Sequence, residues 1–310
     1  MSYADKLFVE MCTEIIENGT DTSGQKVRPV WPDGEPAYTV KTFGVTNKYD
    51  LRKEFPALTL RKTALKSAFD EILWIFQRKS NNINDLKPHI WDEWADKDGG
   101  IGKAYGYQIG KKYIHHKAKL TVEDIEELSK SYPSFELSDL NEEKQSVWFD
   151  QMDAVLYDLK NNPFSRRIMT NIWNFDDLHE MNLQPCCYSC TFSVTDEGKD
   201  KLVLNMLLNQ RSNDVLAANN WNVCQYALLL MMVAQVCDME AGILVHTIVD
   251  AHLYDKHIPL VKELITREQF GAPTVKLNQE IKNFYDFTTD DLIVENYVTG
   301  PQIKNIPIAI

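Results

Sequence analysis

Residues 184–208, QPCCYSCTFSVTDEGKDKLVLNMLL, contain two apolar segments separated by a short polar run. Val, Phe, Thr and Leu dominate the two segments, and the Gly-containing run at 195–199 separates them, a pattern typical of a β-hairpin. Three of the six cysteines, Cys186, Cys187 and Cys190, lie at the start of the first segment. The stretch therefore predicts two antiparallel strands, with thiols concentrated where the first strand begins.

Three interpretations of these cysteines are open. Free cysteines are often buried and pack like small hydrophobic residues. A zinc site would need a second Cys/His pair of similar spacing, which the sequence lacks. A catalytic thiolate would need a nearby cation to lower its pKa. The stretch alone favours burial, and the rest of the chain decides between burial and catalysis.

Composition limits the classes of function. The chain has 310 residues, of which 44% are hydrophobic, enough for one substantial core or two modest ones. A formal charge of −12 disfavours DNA binding, so any anionic ligand needs a local cluster of Arg or Lys. We expect no signal peptide at residues 1–8 and no membrane span, since the longest apolar run is 227–234. Six unpatterned cysteines indicate a cytoplasmic location.

Hydrophobic periodicity predicts an alternation of helices and strands. We expect helices at residues 4–17, 63–78, 147–159, 222–236 and 258–267, and strands at 38–49, 165–174, 202–208 and 243–249. A further strand is expected to run from the cysteine stretch through Val194. Residues 111–146 are dominated by Lys, His, Glu and Ser and predict an inserted segment. The C-terminus is apolar, which is unusual for a free tail and predicts that it docks on the protein.

Several single residues have a structural and a functional interpretation. Glu71 lies in an apolar helix, where it either reaches water or is buried with partners and a raised pKa suited to proton transfer. In isolation Arg28 is best interpreted as a solvated charge and Asn222 as a helix N-cap. His115 and His116 are expected to be solvated. His252 and His257 lack an obvious third ligand, so no metal is expected.

Taken together, these stretches resemble the folate-dependent, non-flavin thymidylate synthases from about Arg28 to Ile310. The resemblance is carried by Arg28, Glu71 with Leu73 and Trp74, residues 90–94, 165–167, 173–174, Pro185 with Cys186, residues 210–212, Asp214, His252, Tyr254, and the terminal residues 303–310. It implies one α/β (α+β) domain over residues 1–310, with a variable insertion at about 111–146. A mixed, largely antiparallel sheet would be packed by the 63–78 and 222–236 helices, and its other face would form a homodimer interface.

The resemblance also implies a reaction. The Cys186 thiolate adds to C6 of dUMP, and C5 then attacks the methylene group of 5,10-methylenetetrahydrofolate. Loss of the C5 proton and hydride transfer from the folate give dTMP and dihydrofolate, with no metal or flavin. C6 of uracil is a Michael acceptor, which suits a thiolate. A thiol with a pKa near ~8.5 is mostly protonated at pH 7, so a neighbouring cation, Arg211, is expected.

Further roles are assigned by the same resemblance. The phosphate is bound by Arg28, Arg211 and Ser212 of one subunit and by Arg166 and Arg167 of the other. Asn222 reads the uracil edge, His252 and Tyr254 hold the 3′-hydroxyl, and Glu71 organises water and proton transfer. Tyr105 and Asn171 are placed near Cys186, while Cys187 and Cys190 are assigned to packing. Trp91, Trp94, Asp214, Ala309 and Ile310 line or close the folate site, and Asp214 is also assigned to catalysis and dUMP binding.

At several positions the chain departs from the pattern it resembles. Where the pattern has Gly-x-Pro-Phe-Asn before the buried helix, this chain has Ala218-Asn219-Asn220-Trp221-Asn222, and Cys187, Thr191 and Val249 also differ. These positions touch the pyrimidine and folate walls. A deoxyuridylate hydroxymethylase, which delivers water instead of hydride to the same intermediate, is therefore the alternative. Asn222 argues against a deoxycytidylate enzyme, and the presence of Cys186 argues against an inactive homologue that binds RNA or protein.

Overall fold

The computed structural model describes all residues, 1–310. The helices are α1 (Tyr3–Asn18), α2 (Leu65–Phe76), α3 (Gly106–Ile109), α4 (Val122–Ser131), α5 (Gln151–Asn161), α6 (Asn219–Val236) and α7 (Ile258–Leu264). The strands are β1 (Thr20–Asp21), β2 (Thr39–Asp50), β3 (Tyr113–Ala118), β4 (Glu136–Ser138), β5 (Gln145–Phe149), β6 (Met169–Asn171), β7 (Cys187–Thr195), β8 (Val203–Asp214), β9 (Glu240–Tyr254), β10 (Thr274–Leu277) and β11 (Leu292–Glu295). No helix has the length and apolar character needed to span a membrane.

A mixed six-stranded sheet organises the molecule. Its strand order is β1-β2-β9-β8-β7-β6, and only the β8–β9 pair is parallel. The predicted hairpin is β7–β8, which pairs Thr195 with Val203 next to the turn. The predicted mixed, largely antiparallel sheet is confirmed.

The two helices predicted to pack on the sheet do so. α6 is buried almost all round, contacts α2, β8 and β9, and places Tyr226 edge-on to Phe76 of α2. Along β8, Leu204, Met206 and Leu208 are buried towards these helices, whereas the alternate residues are half-buried. Since successive strand residues point to opposite faces, the second face of the sheet stays partly open in the single chain.

Residues 111–146 contribute most of a separate three-stranded sheet of order β3-β5-β4, with α4 beside it. His115 and His116 are half-buried here, and the His116 ring stacks on Tyr157. The expectation that both histidines are solvated is therefore wrong, because α5 packs against this small sheet.

Three predicted elements differ from the structure. The helix predicted at 147–159 is divided into β5 and α5, because Asp150 caps the N–H groups of Met152 and Asp153 and starts the helix there. The strand predicted at 165–174 is limited to β6, so Arg166 and Arg167 lie in the turn before it. The polar run after residue 208 belongs to β8, since it pairs with β9 as far as Asp214.

The C-terminus docks as predicted. The N–H of Ile310 donates to the carbonyl of Val30 at 3.0 Å, and the N–H of Val30 donates to the carbonyl of Ile310 at 2.8 Å. These paired backbone bonds fix the last residue beside the loop that carries Arg28.

Candidate active site

Cys186 lies directly before β7, beside β8. Its carbonyl accepts from the N–H of Arg211 at 2.9 Å, and Nη2 of Arg211 lies 3.9 Å from its Sγ. The same guanidinium donates to the carbonyls of Gln184 and Pro185 and lies over the Trp173 ring. The cation expected beside the thiol is therefore present, and it is held by the segment that carries the thiol.

The protonation state of the free protein differs from expectation. Burial raises the pKa of the Cys186 thiol above its ordinary value, and the charges of Arg211 and Arg28 offset only part of this rise. The expectation of a thiolate held ionised by guanidinium charge does not describe the ligand-free chain, because desolvation outweighs the two cations.

Tyr105 connects Cys186 to the aromatic side of the site. Its hydroxyl accepts from the N–H of Cys186 at 3.4 Å, and its ring lies edge-on to Trp91. Tyr105, at the start of α3, has a backbone φ of 45°, which residues other than glycine rarely adopt. The next residue must be Gly106, since a Cβ there would lie 2.1 Å from the carbonyl oxygen of Ser80. The backbone thus holds Tyr105 in a strained position against Cys186.

Glu71 is buried and has partners, as one of its two interpretations required. It is 6% exposed, and its two oxygens accept from Nε1 of Trp91 at 2.8 Å and from Nε1 of Trp221 at 2.5 Å. Burial raises the pKa of Glu71 to about 7, although the indole hydrogen bonds lower it. A carboxyl group with this pKa can both donate and accept a proton near neutral pH.

Asn222 is not an N-cap, because α6 begins three residues earlier at Asn219. Its Oδ1 accepts from Nε2 of Gln210 at 3.1 Å, and its Nδ2 donates to Oε1 of Gln225 at 3.1 Å. These partners fix which way the amide faces. Neither Gln210 nor Gln225 was assigned a role in orienting Asn222 from the sequence.

His252 and Tyr254 are adjacent on β9. Nδ1 of His252 lies 2.8 Å from Oδ1 of Asp250, whose other oxygen accepts from Lys41. The carboxylate therefore holds the proton of His252 on Nδ1 and leaves Nε2 available for another partner. Tyr254 packs edge-on against His252 and Trp31.

Asp214 is linked to the C-terminal segment through His257. Nδ1 of His257 lies 3.4 Å from Oδ1 of Asp214, and its Nε2 donates to the carbonyl of Pro307 at 2.8 Å. Burial disfavours the charged imidazole, but the nearby Asp214 carboxylate and the hydrogen bond to Pro307 outweigh it and raise the pKa of His257. The last residues of the chain are thus connected to a predicted folate-site residue.

The four arginines of the predicted phosphate site divide into two groups. The guanidinium of Arg211 lies 3.9 Å from the Cys186 sulfur, and the charges of both Arg211 and the exposed Arg28 lower the pKa of the thiol. Arg166 and Arg167 are exposed, and neither guanidinium has a hydrogen bond or ion pair within the chain. A single chain therefore brings together half of this cluster.

The remaining predicted residues lie as follows. Trp91 is buried and lies edge-on to the half-buried Trp94. Ser212 is half-buried on β8. The N–H of Asn171 donates to Oε1 of Gln151, and its Oδ1 accepts from the N–H of Trp173. Cys187 and Cys190 are buried, as the packing assignment requires. No three His, Cys, Asp or Glu side chains are grouped to hold a metal ion.

Fold and site together define an α/β enzyme. Its site contains a candidate cysteine nucleophile beside an arginine and, separately, a buried carboxyl group. The family model described as thymidylate synthase matches residues 6–309, and the chain belongs to the thymidylate synthase family.

Individual relatives are similar over nearly their whole length. The thymidylate synthase of Bacillus subtilis subsp. natto is 40% identical over 307 residues, covering 98% of each chain. That of Bacillus phage phi3T is 39% identical over 307 residues, with the same coverage. Among solved structures, thermostable thymidylate synthase A from Bacillus subtilis has a TM-score of 0.82 at 37% identity and covers 99% of each chain.

Proposed function

We propose that Cys186 is the nucleophile with which this chain carries out the reaction of its family. The protein is a methyltransferase that converts dUMP to dTMP with 5,10-methylenetetrahydrofolate as carbon and hydride donor, and it needs no metal or flavin for these steps. The observation that carries the assignment is the thiol of the half-buried Cys186, which lies 3.9 Å from the guanidinium of Arg211. The named relatives are all thymidylate synthases, which favours methylation over the hydroxymethylase alternative.

Burial raises the pKa of Cys186, so the sulfur has to lose its proton as it reacts with bound dUMP. The guanidinium of Arg211, 3.9 Å away, would stabilise the negative charge that develops there. The sulfur then forms a bond to C6, and the electron pair of the C5–C6 double bond moves to C5 and O4. When the C5 proton has left and the methyl group is complete, the C6–S bond breaks and the thiolate is recovered.

Substrate recognition rests on side chains whose orientation is already set. Oδ1 of Asn222 has a second lone pair for the uracil N3–H, and its Nδ2 has a second hydrogen for O4, whereas cytosine offers the opposite pattern. Nε2 of His252 and the hydroxyl of Tyr254 would contact the 3′-hydroxyl. Ser212 and Asp214 complete the dUMP side.

Thymidylate synthases bind dUMP and folate and are dimers, and we propose that the open sheet face is the dimer interface. Arg166 and Arg167 would then enter the partner's phosphate site, which accounts for two exposed guanidinium groups without partners in their own chain. A phosphate dianion needs several charge-assisted donors, and Arg28 and Arg211 supply only part of them.

The folate would lie against Trp91, Trp94 and Asp214, with Ala309 and Ile310 closing over it. The paired backbone bonds between Ile310 and Val30, which hold the last residue against the loop that carries Arg28, support this placement. Closure would exclude water from the hydride transfer.

Two predictions, on domain organisation and on location, complete the proposal. Residues 1–310 would form one thymidylate synthase-like domain with residues 111–146 as a variable insertion, supported by one continuous hydrophobic core and by the family match. The cytoplasmic location stays a prediction that rests on six free cysteines.

The test uses Cys186→Ser with Cys190→Ser as the matched control, since both lie in the same segment. Wild type and control should form dihydrofolate from dUMP and methylenetetrahydrofolate, followed by its ultraviolet absorbance. Cys186→Ser should still bind dUMP but lose turnover. Near-wild-type turnover by Cys186→Ser would contradict the assignment, and tetrahydrofolate with hydroxymethyl-dUMP as products would support the alternative activity.

A further inference from the structure

Trp221 is one of the positions at which the chain departs from the pattern that it resembles. The pattern has Phe before the Asn that is proposed to bind uracil, and the phenylalanine side chain has no N–H group. In this chain the indole N–H of Trp221 donates to Oε2 of Glu71 at 2.5 Å. The departure thus adds a hydrogen-bond donor directly to the buried carboxyl group.

The two oxygens of Glu71 are held by two different indoles. Trp91 reaches Oε1 from the 3₁₀ turn region before α3, and Trp221 reaches Oε2 from the first turn of α6. Hydrogen bonds to an ionised acceptor are roughly twice as strong as neutral ones. Since an indole can rotate only about two side-chain bonds, the pair fixes both the position and the plane of the carboxylate.

Asn220, which also departs from the pattern, helps to fix the position of Trp221. Asn220, 5% exposed, accepts from the N–H of Leu58 at 3.0 Å and from the hydroxyl of Thr63 at 2.6 Å. Its Nδ2 donates to the carbonyl of Pro56 at 2.8 Å. The loop that contains these residues leads directly into α2, which carries Glu71. Asn220 therefore ties the start of α6 to the base of α2, and this fixes the Trp221 indole relative to Glu71.

We propose that Trp221 is a positioning residue for Glu71, whose indole N–H holds one carboxylate oxygen and stabilises the ionised form for proton transfer. The proposal deepens the proposed function, since it rests on the role of Glu71 in the reaction. The Trp at this position supplies a hydrogen-bond donor to Glu71 that a phenylalanine side chain would lack.

Glu71 is the group around this site that titrates near neutral pH. Burial raises the pKa of Cys187 from β7, Tyr105 from the start of α3 and Tyr226 from α6 well above their ordinary values, so all three are neutral there.

Two further groups complete the surroundings of Glu71. Asp70, on the same helix, is paired with Arg78 at 2.9 Å. Gln225 faces the Glu71 carboxyl from α6, is uncharged, and lowers the pKa of Glu71 less than either indole does. Removing the Trp221 donor therefore changes the titration of Glu71 without a nearby charge to compensate.

The experiment compares Trp221→Phe with wild type and with Trp148→Phe. The control also removes an indole hydrogen bond, which Trp148 makes to Ser138 in the small sheet. Glu71 is followed by carbon-13 NMR of labelled glutamate, assigned with Glu71→Gln. In Trp221→Phe the pKa of Glu71 should rise by about one pH unit, as expected when one donor to a charged group is lost. An unchanged Glu71 titration would overturn the proposal.

Kinetics test the same contact independently. We expect kcat of Trp221→Phe to fall about 10-fold, with its acid limb moved to higher pH and the dissociation constant for dUMP unchanged. In a Glu71→Gln background the same substitution should have little further effect, whereas additive losses would show that the indole acts elsewhere. If Glu71→Gln itself keeps full activity, the proposed role of Glu71 fails, while the NMR titration still decides whether Trp221 stabilises its carboxylate.

Discussion

Nε2 of His246 lies 2.7 Å from Oε1 of Gln210, and both side chains are almost completely buried in the sheet. Burial lowers the pKa of His246 to about 3, so the imidazole is neutral and donates from Nε2. This fixes the Gln210 amide, whose Nε2 donates to Asn222 and to the carbonyl of Ser212. His246 therefore helps to set, through Gln210, the orientation of the Asn222 amide, which is proposed to bind the uracil edge.

Gln210→Leu should weaken the discrimination between dUMP and dCMP. Without the Gln210 donor the Asn222 amide is held only by Gln225, whose Nε2 has no hydrogen-bond partner, so the two amides can turn together. The rotated Asn222 amide matches cytosine instead of uracil. We expect kcat/KM for dUMP to fall about 10-fold, while dCMP competes more strongly. Inhibition constants for dCMP against dUMP measure this directly. Gln235→Leu is the control, because it removes an amide bonded to Asn278 and Ile281 at the far end of α6; an unchanged preference for dUMP would contradict the orienting role.

His246 also predicts a pH dependence of stability. The unfolded chain binds a proton on this histidine below pH ~6.5, but the folded chain does not until about pH 3. The folded state therefore loses about 1.4 kcal/mol per pH unit as the pH falls through this window. Glu71 acts in the opposite sense between pH ~4.3 and 7, because its pKa is raised to about 7 in the folded state.

The two effects are separated by comparing wild type with His246→Gln, which keeps a donor for Gln210. Urea unfolding at one protein concentration is measured at pH 7.5 and pH 5. Between these values the variant should lose about 2 kcal/mol less stability than wild type, since only wild type loses the His246 contribution. Parallel pH dependences would show that His246 is protonated in the folded protein.

The sequence predicted the sheet better than it predicted the boundaries of elements. Residues 147–149 fit an apolar helical face, yet they belong to β5, because pairing with β3 and β4 outweighs the local pattern. The strand predicted at 202–208 ends before the polar part of β8, because pairing with β7 and β9 on both sides is not visible in composition. The sequence predicted that Glu71 is either exposed or buried with partners. Only the structure shows that Trp221 of α6 donates a hydrogen bond to its carboxylate.

Mixing Arg166→Ala with Cys186→Ala should restore activity if the site is shared between subunits. Each variant alone lacks a residue that every site needs. In a heterodimer, however, one site combines Cys186 of one chain with Arg166 of the other. If subunits exchange freely, about half of the dimers are mixed, so recovery should approach about 25% of the wild-type rate. Exchange is verified with a mass-tagged subunit, and no recovery after verified exchange would place Arg166 outside the partner's site.

Removal of Ile310 should affect the folate step more than dUMP binding. The deletion removes both backbone bonds to Val30, although the bond from His257 to Pro307 can still hold the preceding residues. We expect the dissociation constant for dUMP to stay within about 2-fold, while kcat/KM for methylenetetrahydrofolate falls at least about 10-fold, because closure would be incomplete and water would enter. Ile310→Val is the matched control, since it keeps the backbone pair and the apolar character, and its kinetics should stay close to wild type. Equal kinetics for the deletion and the control would mean that the docked terminus does not close the folate site.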